Sequence, residues 1–234
     1  SHQIPLVSEE HRPVFTQKQE QKKAKLLCGV VDRVHVLDEV EHLVGVADLV
    51  VVPGDDLYES VGQGNACIGV EDPGFRLGRE IFRNSGYSIV PIPISGGLLH
   101  VDALEANGVR LVYVSPSHQF PTGTVMPAGI RHRLLHWAEK TDGLIIEDDY
   151  DSELRYYGRP VPALQGLDRH GRVVYMGALS KVLPFFIRLS YMVLPPQLMP
   201  LYEQRRSLFR QGASVPEQCV LADGTLQAQK LVSV

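Results

Sequence analysis

Between residues 49 and 194 the chain alternates short, nearly continuous apolar runs with longer segments in which apolar residues recur at helical spacing. The runs fall at Leu49–Val52, Cys67–Val70, Ser88–Pro91, Leu111–Val114, Leu144–Glu147, Val173–Met176 and Ser190–Leu194. A strand with one solvated face alternates apolar with polar residues. Uninterrupted runs therefore point to strands covered on both faces, as in a mainly parallel sheet. The segments between them carry helix punctuation. One helix is predicted from Pro73 through Phe82 to a stop at Ser85-Gly86. A second has Pro127 in its first turn, continues through His132, Leu135 and His136, and ends at Gly143 as its C-cap. A third follows Pro195-Pro196 and carries Leu198, Leu201, Tyr202, Leu208 and Phe209 on a helical period. Residues 1–25 are polar and irregular and close in the run Gln17–Lys25, which reads as an arm or an exposed helix start. The predicted class is α/β: a mainly parallel sheet flanked by helices.

A chain of 234 residues is long enough for one large α/β domain or two small ones. Its 44% hydrophobic and 21% charged residues are ordinary for a globular protein, and a net charge of -4 gives no general attraction to nucleic acid or anionic membrane. Cys28, Cys67 and Cys219 are odd in number and widely separated, which argues for a reducing compartment over a disulfide framework. The apolar stretch Leu43–Pro53, broken by Asp48, is too short for a bilayer span of about 20 residues, and Ser1–Pro5 lacks a signal pattern. The cytoplasm is the expected location, with no membrane partner.

Four segments carry candidate chemistry. In Met176-Gly-Ala-Leu-Ser-Lys181, a lysine just past a buried strand stands where desolvation can lower its pKa and let it attack an aldehyde; Ser180 and Arg188 suit a phosphate. Alone, this lysine reads as an ordinary strand-end residue. In Leu144-Ile-Ile-Glu-Asp-Asp-Tyr-Asp-Ser-Glu153, an apolar strand runs into a cluster of acids at the carboxyl edge of the sheet, where ligands of open α/β sheets bind. Asp148 is the candidate partner for a pyridinium nitrogen and Tyr150 for a phenolic oxygen; alone, the segment reads as a solvated acidic loop. Ser115-Pro-Ser-His-Gln-Phe-Pro-Thr-Gly123 adds a tight turn with Ser117, His118 and Gln119. Glu71-Asp-Pro-Gly-Phe75 offers an aromatic ring where a strand hands over to a helix. His132 and His136 have a metal-like helical spacing without an evident third ligand and are read as helix surface.

In this order and at these separations, the four segments resemble the aminotransferase-like domain of the MocR group of bacterial regulators, in the GntR superfamily. The resemblance covers residues 67–222, with residues 1–66 poorly matched and 223–234 unassigned. Ordinary class I aminotransferases show an Asn-Pro-Thr-Gly turn, and here Phe120 stands in place of that asparagine. The resemblance implies the large domain of pyridoxal-phosphate-dependent fold type I, with pyridoxal 5'-phosphate as cofactor. It implies Lys181 as the Schiff-base lysine, Asp148 facing the ring nitrogen and Tyr150 at the phenolic oxygen. Ser180 and Arg188 fall at phosphate positions, Phe75 where a ring stacks on the pyridine, and His118 within the signature string. It further implies a homodimer, an amino-acid effector, and DNA binding through a winged helix-turn-helix domain that residues 1–66 do not resemble.

The pattern is interrupted twice. Ser60-Val-Gly-Gln63 only weakly echoes a phosphate-binding turn, and too few residues separate it from Glu71 for the long helix expected there. The smaller C-terminal domain, which supplies an arginine for a substrate carboxylate, is expected to be largely absent. Three readings stay open at this point: the sensor domain of a regulator, a working aminotransferase, and a remnant without cofactor.

Overall fold

The computed structural model describes residues 34–38, 66–150, 162–178 and 189–205; only the backbone is described at 34–38. Its centre is a sheet of eight strands: β1 (Val34–Asp38), β2 (Cys67–Asp72), β3 (Ser88–Ser95), β4 (Leu98–Leu99), β5 (Leu111–Val114), β6 (Leu144–Asp149), β7 (Val173–Ala178) and β8 (Leu189–Val193). Their order across the sheet is β1-β8-β7-β6-β5-β2-β3-β4. Neighbours from β7 to β3 are parallel, whereas β8 runs antiparallel between β7 and β1, and β4 closes antiparallel on β3. The mainly parallel α/β class holds. Five α-helices are described: α1 (Arg76–Asn84), α2 (Asp102–Ala106), α3 (Ala128–Thr141), α4 (Leu164–Leu167) and α5 (Met199–Arg205), the last preceded by a 3-10 turn at Pro196–Leu198.

Both faces of the sheet are covered, which explains the unbroken apolar runs. Ile68, Val70, Tyr113, Ile146, Val174 and Met176 face one core with Phe82 of α1 and Tyr202 of α5. Val112, Val114, Ile145 and Val173 face the other with Leu104 of α2, Leu134 and Trp137 of α3, and Leu164 of α4. The two-residue side-chain period of a strand sends neighbours to opposite cores.

Several predicted bounds shift. α1 begins at Arg76, not Pro73, because Pro73-Gly74 are spent on a fold-back so close that a Cβ on Gly74 would lie 2.1 Å from the Glu71 carbonyl oxygen. The C-cap of α3 is Asp142, in the left-handed region at φ 54°, not Gly143. Gly143 is needed instead for close approach, since a Cβ there would lie 2.9 Å from the Arg110 carbonyl oxygen. β3 extends past Pro91 and Pro93; prolines are tolerated because, among the described residues, its outer edge pairs only at Ile94 and Ser95. β6 also runs on, to Asp149, so its acids belong to a buried strand rather than a solvated loop. The predicted strand Leu49–Val52 and the helix positions Leu208 and Phe209 lie outside the described residues.

Candidate functional site

From β2 the chain moves to β3 on one side and later returns to β5 on the other. Such a reversal leaves a crevice at the carboxyl ends of the flanking strands. Two of the sequence segments meet there: Glu71-Asp-Pro-Gly-Phe75 ends β2 and leads into α1, and Ser115–Gly123 follows β5.

Gln119 joins them. Buried, it donates from Nε2 to the Pro73 carbonyl at 2.8 Å and to Glu71 Oε2 at 3.2 Å, while its Oε1 accepts Thr122 Oγ1 at 2.6 Å. Its backbone closes the turn, with the Gln119 amide on the Thr124 carbonyl at 2.9 Å and the Gly123 amide on the Gln119 carbonyl at 2.7 Å. Gly123 has φ 71°, and a Cβ on it would lie 3.2 Å from His118 Nε2, so this corner favours glycine twice over. On the β2 side, Arg79 reaches back from α1 to the Glu71 carbonyl at 3.2 Å and Asp72 Oδ1 at 3.1 Å.

Asp148 lies on the next strand over, and its side chain shares a face with Tyr113 and Met176. The buried Tyr113 phenol donates to Asp148 Oδ2. Burial and then the Asp148 charge hold that phenol well above its ordinary range, so it keeps the proton it donates. Phe75 stands at the N-cap of α1, half-buried, edge-on to Phe120 with ring centres 5.7 Å apart at 85°. The space above Gly78 is bounded by the Phe75 ring at 3.1 Å and the Tyr113 ring at 3.4 Å, which puts those two side chains beside one another. His118 stacks on Tyr150, with ring centres 5.8 Å apart at 29°.

The opposite face of β6 carries a second set. Glu147 accepts the Leu164 amide at 2.8 Å and the Gln165 amide at 2.9 Å, with Arg131 Nη1 3.9 Å away. Asp149 accepts Tyr175 Oη at 2.9 Å and Ser117 Oγ at 3.5 Å. Burial pushes Glu147 up to about 7 against the amides and guanidinium that favour its anion. Burial likewise raises Glu71 to about 7, although Gln119 and Ser115 favour the anion.

The structure thus gathers Phe75, His118, Asp148 and Tyr150 around one edge, in two contacting sets. Lys181, Ser180 and Arg188 lie outside the described residues; β7, which precedes them in the sequence, is described to Ala178, just past Gly177, the register partner of Asp149. His132 and His136 are exposed on α3. Reading the sequence missed Tyr113, Glu71, Arg131 and Glu147. A tyrosine in the otherwise aliphatic run Leu111–Val114 was the available signal, since a buried phenol needs a partner. An arginine on the apolar stripe of Leu134 and Ala138 was another.

Chemically, a buried carboxylate held by a phenol offers an acid partner for a ring nitrogen, and Phe75 offers a face for stacking. The fold gives the class. The kynurenine aminotransferase of Pyrococcus horikoshii, crystallised with PMP, superposes with a TM-score of 0.63 over 79% of this chain and 48% of its own, at 25% identity. The architecture is that of the pyridoxal-phosphate-dependent fold type I aminotransferases. No protein-family model matches the chain. Among curated proteins, it is 46% identical over 159 residues to the HTH-type transcriptional regulator YdeL of Bacillus subtilis, covering 68% of this chain and 34% of that protein. To the probable rhizopine catabolism regulatory protein MocR of Rhizobium meliloti it is 39% identical over 163 residues, 70% of this chain and 33% of that one. The chain belongs to the aminotransferase-like domains of the MocR type, and it spans about a third of the length of these relatives. Among the described residues no helix is long and apolar enough to cross a membrane.

Proposed function

We propose that this chain is the effector-binding core of a MocR-type transcriptional regulator, holding pyridoxal 5'-phosphate and reading it, or an amino acid that reacts with it, as a signal. The observation that carries the reading is Asp148, buried at the carboxyl edge of the sheet with the Tyr113 phenol donating to Oδ2. A carboxylate that accepts a hydrogen bond in that way fits a protonated pyridine nitrogen, and the donor set around it fits the rest of the cofactor. When bound, pyridoxal phosphate supplies an electron sink beside its aldehyde carbon.

The chain's own residues divide the work. Asp148 holds the proton at the ring nitrogen, and Tyr113 fixes the carboxylate that does so. Phe75 covers one face of the ring and excludes water from it. Tyr150 donates to the phenolic oxygen, and His118 stacks on Tyr150 and limits its rotation. Lys181 would supply the amine for the cofactor's aldehyde, and Ser180 and Arg188 would hold its phosphate. DNA contact belongs to a winged helix-turn-helix domain, two copies of the chain form the working unit, and the setting is the cytoplasm. Resemblance to regulators of this group supports these last assignments.

A visible absorption spectrum of the chain with pyridoxal phosphate, beside Lys181→Ala, tests the reading. A cofactor band shifted from that of free pyridoxal phosphate, in the parent alone, is expected; free-cofactor absorbance from both proteins refutes it. Adding amino acids separates the sensor from a working aminotransferase. A sensor changes its spectrum once and stops, whereas steady keto-acid release would make it an enzyme.

A further inference from the structure

Arg131 lies on the buried stripe of α3 with no exposed surface. Its guanidinium donates from Nε to the Met126 carbonyl at 3.0 Å, from Nη2 to the Pro116 carbonyl at 2.7 Å and from Nη1 to the Pro162 carbonyl at 2.8 Å. Glu147 Oε1, 3.9 Å from Nη1, supplies the opposite charge. Removing a cation from water is costly unless it is both paired and hydrogen-bonded, and here every part of the fork is engaged.

The three carbonyls belong to particular places. Pro116 and Met126 are the two ends of the loop that carries His118, Gln119 and Phe120. They are already closed on one another, because the Met126 amide donates to the Pro116 carbonyl at 2.9 Å. Loops of this kind are compact, with their ends close together. The guanidinium fastens both ends from beneath and joins them to Pro162. Through Glu147 it also joins them to the residue next to Asp148, and Glu147 is itself held by the Leu164 and Gln165 amides. One side chain therefore links the Ser115–Gly123 loop, the strand with Asp148 and the start of α4. A lysine keeps the charge but has a single nitrogen, which cannot match three carbonyls arranged around a planar fork.

We infer that Arg131 is a positioning residue that fixes the loop bearing His118 and Gln119 against the strand bearing Asp148, and so sets the geometry of the cofactor site. The part of this that concerns the cofactor rests on the pyridoxal-phosphate reading above.

Arg131→Lys in the full chain tests it by amide hydrogen exchange, together with titration of pyridoxal phosphate followed by visible absorbance. Exchange across residues 117–126 is expected to accelerate about tenfold or more, as for the loss of one or two hydrogen bonds, while residues 68–70 and 111–114 stay unchanged. Cofactor affinity is expected to fall about tenfold. Equal acceleration throughout the sheet would reduce Arg131 to a general packing role and overturn the inference. So would an unchanged loop with unchanged affinity. If the parent chain binds no pyridoxal phosphate, the cofactor reading fails on its own. Local acceleration would then still uphold the link between loop and strand, and its absence would still overturn it. Should Arg131→Lys fail to fold, Glu147→Gln keeps the size while removing the charge and one of the two acceptors for the Leu164 and Gln165 amides. About threefold acceleration confined to 117–126 and 162–165 is expected there, and uniform acceleration would overturn the inference.

Discussion

Replacing Glu71 with glutamine is expected to remove a pH dependence from the stability of this chain. Glu71 is 3% exposed, accepts Gln119 Nε2 on Oε2, and has no well-aligned donor to Oε1 among the described residues. Burial, with a smaller contribution from the Asp148 charge, raises its pKa from 4.5 to about 7. A carboxyl with a higher pKa in the folded chain binds its proton more tightly there than in the unfolded chain. Its contribution to stability is therefore fully present below the unfolded value, is lost as pH rises through the folded value, and levels off above it. At about 1.4 kcal/mol per unit, the interval from 4.5 to about 7 amounts to about 3 kcal/mol in all, of which about 2 kcal/mol falls between pH 5 and pH 8. Glutamine keeps an acceptor for Gln119 and has no charge to bury. Urea unfolding followed by the fluorescence of Trp137, the single tryptophan and itself buried, reads the effect at each pH. Glu147 is raised in the same direction and tilts both proteins alike, so the difference between Glu71→Gln and the parent isolates Glu71. That difference should move in favour of the variant by about 2 kcal/mol from pH 5 to pH 8. A difference constant to within about 0.5 kcal/mol, or one moving the opposite way, would refute the account of Glu71 as a carboxyl protonated by burial.

Two further outcomes follow from contacts at the same edge. Tyr113→Phe removes the phenol that donates to Asp148; a hydrogen bond to a charged acceptor is worth about 1.5–3 kcal/mol, so pyridoxal phosphate should bind about tenfold or more weakly in absorbance titration. Unchanged affinity would mean that Tyr113 does not support the cofactor site. Gly74→Ala would put a Cβ against the Glu71 carbonyl and force the backbone to move, at a cost of about 1–3 kcal/mol in urea unfolding, whereas a neutral result would show that the fold-back has slack.

Most of the sheet could be read from the chain because burial on both faces leaves no polar residues to blur the runs at Cys67, Leu111, Leu144 and Val173. β1 escaped for the converse reason: Val34-His-Val-Leu-Asp38 mixes polar with apolar residues and, among the described residues, joins the sheet only through β8, a partner far along the chain. α2 and α4 are too short to establish a period. Among the candidate residues, Asp148, Tyr150, Phe75 and His118 were legible as candidates because they belong to compact strings. Tyr113, Glu71 and Arg131 were not, because each gains its meaning from partners outside its own string. The Tyr113 phenol meets a carboxylate 35 residues away, and Arg131 meets the Pro162 carbonyl 31 residues away. No local pattern encodes such meetings. The extent of β6 was misjudged because acids normally end a buried strand, and here each of them finds a donor within the fold.

Glu147, Asp148 and Asp149 look interchangeable in the sequence, three carboxyl groups in a row. In the sheet they are not spares for one another. Neighbours point to opposite cores, and each has its own donors: amides and a guanidinium for Glu147, one phenol for Asp148, another phenol and a serine for Asp149. Deleting a single residue upstream in β6 would move Asp148 and Asp149 into the first two of these places and Tyr150 into the third, and turn each acid toward the wrong neighbours. A homologue that keeps the acids but changes the length of the strand would therefore preserve the charge of this edge and lose its wiring. Alignments that score only residue type would not register the loss.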